Sequence, residues 1–196
     1  MSLQTRLEAL VAAIGADIKA LQSAAGTKNQ YNASVAAQAG ISGDVYLAGS
    51  SIAIPQGKIK VGTIYRCRFN VVKTGAGTGA PVISVRVGTA GAVGDGSRAA
   101  LTFAAQTAVV DEGEFEVECA FRQAGGTAII QAKGSLWHRL VTTGLNVTGV
   151  FTSVLNTGAP FDVTGANLKI GLSVNAPNPS SWTVSLVTAG LLNLAP

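Results

Sequence analysis

The sequence predicts a mainly β fold: a jelly-roll-like β-sandwich preceded by a short N-terminal α-helix that serves as a coiled-coil stalk. Three observations predict it. Leu7, Val11, Ile14, Ile18 and Leu21 recur at steps of four, three, four and three residues, the spacing of a heptad seam. From Val45 onward, apolar and polar residues alternate with a period of two between turn signals, as half-buried strands do. Only 12% of residues are charged and 24 are glycine, against about 25% charged in an average soluble domain. That composition suits strands whose wet face is polar but uncharged, joined by glycine turns.

The helix is expected over residues 1–22. Ser2 is placed to cap it, and the Leu, Ala, Glu, Arg, Lys and Gln that follow favour the helical state. With Leu7, Ile14 and Leu21 at d, Val11 and Ile18 fall at a, and Leu3 and Leu10 at g widen the stripe. Isoleucine at d and an apolar g flank favour three strands or more over two. A helix of about 20 residues is ~30 Å long and marginal alone in water, and Gly15 weakens it by roughly 1 kcal/mol relative to Ala. It therefore needs partners. Leu3, Leu7, Leu10, Val11, Ile14, Ile18 and Leu21 are the expected oligomerisation residues. The competing expectation is that the stripe packs on the chain's own β domain. Residues 23–44 are small, polar and turn-rich, and are read as a linker that leaves the helix free.

The β-sandwich is expected over residues 45–196, with about eight or nine strands. In the clearest, over 59–72, Tyr65, Cys67, Phe69 and Val71 alternate with Arg66, Arg68 and Asn70. Residues 114–122 mirror it, with Phe115, Val117, Cys119 and Phe121 inward and Glu114, Glu116 and Glu118 outward. If these strands are neighbours, Arg66 and Arg68 face Glu116 and Glu118 and help to fix register. Further strands are expected at 82–87, 99–104, 127–140 with a bend at Gly134, 147–155, 167–174 and 181–187, the last with Trp182, Val184 and Leu186 on its core phase. Residues 175–181 (NAPNPSS) read as a proline turn, and Leu191, Leu192 and Leu194 as a buried tail. Cys67 and Cys119, both on inward phases, are expected as buried thiols.

Function classes narrow by exclusion. The net charge is +4, but the basic residues are scattered, without the one-sided patch of a nucleic-acid binder. No stretch approaches the ~18 apolar residues of a membrane span, and Glu8 and Asp17 interrupt the N-terminal segment, unlike a signal peptide. His138 is the single histidine, beside Trp137 in an apolar strand, and a structural or surface role, not a catalytic one, is expected for it. No GxSxG, HExxH or CxxC occurs. Asp111 and Glu112 read as a turn before a strand. The glutamates at 114, 116 and 118 read as a solvated, ion-paired strand face, not the carboxylate pair of a glycosidase. The GAGTGA at 75–80 lacks the Lys-Ser/Thr of a phosphate loop and reads as a long hairpin loop. No catalytic residue, metal ligand or cofactor is expected. Of the two tryptophans, Trp182 reads as core, and Trp137 is the candidate ligand contact, since aromatic faces stack on sugars.

The opening LQTRLEALVAAIGADIKAL (3–21) is similar to short helical segments of tail-fibre and related appendage proteins of tailed bacteriophages. The landmarks YLAGSSIAIP, KVGTIYRCRFNVVKTGAGTGAP, VRVGTAG, QTAVVDEGEFEVECAFR, IGLSVN and TVSLVTAGLLNL resemble a phage virion module. The resemblance covers residues 1–22 and 45–194 and carries over no catalytic residue. It implies a homotrimeric virion structural protein, of tail-fibre, head-fibre or capsid-decoration type, assembled in the host cytoplasm. Its implied partners are its own copies, other tail or capsid proteins and a host-surface glycan. A receptor- or glycan-binding module is the alternative, and a jelly-roll depolymerase is a third reading.

Overall fold

The computed structural model describes residues 2–27, 29–176 and 182–195, with the backbone alone for 20–27. One α-helix, α1 (Leu3–Thr27), precedes twelve strands among the described residues. They are β1 (Gln30–Ser34), β2 (Gln38–Ile41), β3 (Gly43–Tyr46), β4 (Ile52–Ala53), β5 (Ile64–Lys73) and β6 (Val82–Gly88). Then come β7 (Gly96–Thr102), β8 (Asp111–Gln123), β9 (Ile129–His138), β10 (Phe151–Thr157), β11 (Lys169–Ala176) and β12 (Trp182–Leu192). Ser2 caps α1, its Oγ accepting from the Thr5 N–H at 3.2 Å.

The strands form two antiparallel sheets. The seven-stranded sheet runs β1-β12-β5-β8-β9-β10, with β2 also on β12, and the five-stranded sheet runs β3-β11-β6-β7, with β4 also on β11. Among the described residues the chain changes sheet six times: between β2 and β3, β4 and β5, β5 and β6, β7 and β8, β10 and β11, and β11 and β12. The earliest strands thereby pair with the last two, which is the jelly-roll order. β9 and β10 widen one sheet beyond it.

Alternation dictates the core. Tyr65, Cys67, Phe69 and Val71 from β5 meet Phe115, Val117, Cys119 and Phe121 from β8, all at most 1% exposed. Phe115 is the hub: it stacks on Phe69 at 5.3 Å and Trp182 at 5.5 Å, and meets Phe103 of the facing layer edge-on at 5.0 Å. Each such ring contributes roughly 1.5–3 kcal/mol through burial. On the wet side, Arg66 lies opposite Glu118 and Arg68 opposite Glu116, as the alternation predicts. Arg68 is 3.0 Å from Glu116, and Arg66 pairs with Glu118. Both cysteines are free and buried.

Five expectations are corrected. The linker over 23–44 is mostly structured: α1 continues to Thr27, and β1 and β2 both hydrogen-bond to β12. Their exposed side chains hide the pairing, because an edge strand is held through its backbone and needs little apolar alternation. The GAGTGA loop is no hairpin, since β5 and β6 lie in different sheets and the loop carries the chain between them. Gly134 makes no bend. It pairs with Val117 on one side and Val154 on the other, and glycine is there because a Cβ would lie 2.8 Å from the Phe103 ring. Leu186 is not core but 51% exposed, at a bulge where the β12 register shifts between Ser185 and Thr188. Beyond the bulge the inward phase passes to Val187, Ala189 and Leu191. Asp111 is not in a turn but opens β8, buried. The proline turn expected at 175–181 lies largely outside the described residues.

Candidate functional site

Two surfaces stand out. The first is the heptad stripe. Leu3, Leu7, Leu10, Val11, Ile14 and Ile18 are between 49% and 85% exposed, and every residue from Ser2 to Lys19 is exposed. The β domain does not cover the stripe. Leu21 lies where side chains are not described. No helix among the described residues is long and apolar enough to cross a membrane.

The second surface is the outer face of the seven-stranded sheet. Because β9 alternates, His138 points inward and Trp137 outward, and Trp137 is 43% exposed. The β9–β10 pairing sets Phe151, 46% exposed, directly opposite it. The two rings are 5.1 Å apart and tilted by 42°, an aromatic pair open to solvent. Across the sheet, Trp137 is followed in register by Glu114, Asn70 and Ser185. A groove of about 420 Å³ opens on one flank of Trp137, bordered by Asn70, Val72, Glu112 and Arg139. A cleft of about 130 Å³ opens on the other, bordered by Phe151, Ser135, Glu116 and Lys133.

A buried polar knot beneath this face fixes the aromatic pair. His138 Nδ1 lies 2.7 Å from Asp111 Oδ2, and its Nε2 lies 2.7 Å from the Gly149 carbonyl. The imidazole thus ties the end of β9 to the loop that leads into β10 and Phe151. Asp111 also accepts from the N–H groups of Glu112 and Leu145, both at 2.9 Å. Lys73, cross-strand neighbour of Asp111, is buried and donates to the carbonyls of Gly75 at 2.5 Å and Thr107 at 2.8 Å. Burial pushes the Lys73 ammonium pKa down, and the Asp111 charge pulls it back up. The carbonyls of Gly75 and Thr107 take up N–H donors that burial would otherwise leave unpaired.

Of the structural and surface roles expected for His138, its burial and its two contacts match the structural one. Glu116 and Glu118 are ion-paired with Arg66 and Arg68, and Glu112 pairs with Arg139 at 3.1 Å. Among the described residues no group of three His, Cys, Asp or Glu side chains converges as a metal site would require. Sequence reasoning singled out Trp137 but missed Phe151, Glu114, Asn70 and Ser185. They share a row only once β9, β8, β5 and β12 are known to be neighbours.

No family model and no curated protein matches the sequence. Solved structures offer distant likenesses. One is the CBM2 module of the evolved Dit of Lactobacillus casei BL23 phage J-1, at 10% identity and a TM-score of 0.31, over 74% of this chain and 70% of that one. A second is infectious bursal disease virus, Gx strain, at 11% identity and a TM-score of 0.28, over 87% of this chain and 42% of that one. A third is the binding domain of botulinum neurotoxin DC in complex with SialylT, at 7% identity and a TM-score of 0.26, over 82% and 42%. Likenesses of this size carry no argument about role.

Proposed function

We propose that the chain is a non-enzymatic structural protein of a tailed-phage virion, a homotrimeric appendage of the tail or head surface that takes part in host attachment. The observation that carries this reading is the uncovered stripe on α1. Six apolar side chains on one short helix stand in water in the single chain, and a helix of that length is marginal without partners. Ile14 at d and the apolar g flank of Leu3 and Leu10 favour three strands, against Leu7 and Leu21 at d beside Val11 and Ile18 at a, which suit two. The phage-appendage resemblance of residues 3–21 and of the β-domain landmarks adds the setting. Three β domains held together would bind a surface multivalently, through effective concentration. Mass photometry of the full chain tests the assembly: the expected mass is three times the 19.7 kDa of the chain. A monomer persisting at micromolar concentration would remove the reading. Antibody labelling of virions separates many capsid copies, a decoration role, from few copies at one vertex, a tail role.

A second reading concerns the sandwich and coexists with the first: its outer face is a glycan-binding surface centred on Trp137. The open Trp137–Phe151 pair favours it, because exposed aromatic faces stack on the C–H faces of sugars. Host-cell or glycan-array binding that disappears in Trp137→Ala is the expected result, and silence in both assays would retire the role.

A further inference from the structure

We infer that the row Phe151–Trp137–Glu114–Asn70–Ser185 is a track for an uncharged glycan chain lying across the strands. The inference rests on the glycan-binding reading above and adds its ligand class, its direction and three further contact residues. These five residues are successive cross-strand neighbours on β10, β9, β8, β5 and β12. Neighbouring strands lie about 4.8 Å apart, close to the length of one pyranose unit, so successive sugars meet successive side chains. The two aromatic rings occupy one end of the row, where sugar faces stack. The three polar residues continue it.

Those three residues have capacity to spare. Among the described residues, the side chains of Glu114, Asn70 and Ser185 have no hydrogen bond or ion pair within the chain, although all are half-buried. Glu114 offers a carboxylate that only accepts, Asn70 both donates and accepts, and Ser185 does either. Such a set matches sugar hydroxyls, each of which donates and accepts. A groove of about 420 Å³ takes in Trp137, Asn70 and Ser185 of the row and is bordered beyond it by Val72, Glu112 and Arg139, a volume within the range of small-ligand sites.

Charge decides the class of glycan. The nearby arginines are already engaged: Arg66 and Arg68 with Glu118 and Glu116, and Arg139 with Glu112. The one carboxylate left unpaired in the row is Glu114, in its middle. An acidic saccharide would set its charge beside that carboxylate; Lys133, without an ion pair among the described residues, borders the cleft at the Phe151 end and stands opposite Glu118, not Glu114. A chain of neutral hexose or N-acetylhexosamine units meets no such repulsion.

The test uses the full-length protein and the Trp137 fluorescence that its exposure makes responsive, with Trp182 buried as an internal constant. The probes are malto-, cello- and chitohexaose as neutral chains, with polygalacturonate and sialyllactose as acidic ones. The expected result is saturable binding of at least one neutral hexaose and of neither acidic probe. Affinity should fall about tenfold or more in Trp137→Ala. It should fall severalfold in Glu114→Ala with the fold and assembly state unchanged, and stay unchanged in Leu155→Ala, four residues along β10 from Phe151 and opposite Lys133. Binding of the acidic probes instead, strengthened at low salt, would overturn the ligand class while leaving a glycan surface. Neutral binding insensitive to Glu114→Ala and Asn70→Ala would overturn the track. Binding of no probe would count against both the track and the glycan-binding reading.

Discussion

The Asp111 carboxylate and the His138 imidazole meet at 2.7 Å with both side chains fully buried, and the second ring nitrogen faces the Gly149 carbonyl at the same distance. A carbonyl only accepts, so Nε2 carries a hydrogen. His138→Ala removes both ties, leaving a carboxylate and a carbonyl buried with fewer partners. Urea unfolding should show a loss of about 3 kcal/mol, with amide exchange rising first in residues 139–150. A loss under about 0.5 kcal/mol would show that the knot is not structural.

Leu186 adopts a left-handed backbone, φ +48°, half-exposed at the β12 bulge. A non-glycine residue there costs about 1–2 kcal/mol, and Asn tolerates the conformation better. Leu186→Asn should therefore raise the urea midpoint, by about 1 kcal/mol in stability. A drop would mean that the leucine side chain makes a contact worth more than the strain.

At Gly134 a side chain has no room against the Phe103 and Leu101 side chains. Gly134→Val should destabilise by about 1–3 kcal/mol through overpacking, despite the better strand propensity of valine. Thermal unfolding reads the sign. A stabilised variant would mean that the facing layer gives way easily.

Burial pushes the Cys67 thiol up to about 12, and the Cys119 thiol and Tyr65 phenol rise for the same reason. Neither thiol should react with a thiol reagent at pH 8 until the protein unfolds. For a group raised in the folded state, stability is fully present below the unfolded value, 9.0 for a thiol, and is lost as pH climbs through the folded one. The urea midpoint should thus fall between pH 9 and 12. A Cys67→Ala/Cys119→Ala pair should flatten part of that fall, and an unchanged slope would assign it to Tyr65 and other groups.

Much of the fold was legible because β5 and β8 alternate strictly: Phe69 and Phe115 declare one face, and Arg66, Arg68, Glu116 and Glu118 the other. The heptad stripe was legible for the same reason, one face carrying one kind of residue. Residues 30–41 were not, since edge strands pair through backbone atoms that every residue has. Leu186 misled because a bulge inserts a residue and reverses the phase, which no period-two reading anticipates. Trp137 was visible as an aromatic without a core assignment. Its companions on the outer face were hidden, because Phe151, Glu114, Asn70 and Ser185 are far apart in the chain and meet only through the jelly-roll order.

The most direct test is the solution mass of the full chain beside Val11→Asp/Ile18→Asp, which sets charges on the a positions of the stripe. The wild type should be a trimer at micromolar concentration. The variant should dissociate or weaken by orders of magnitude while its β-sheet circular dichroism is unchanged. A wild-type monomer, or a trimer indifferent to both aspartates, would contradict the claim that this stripe is buried between copies.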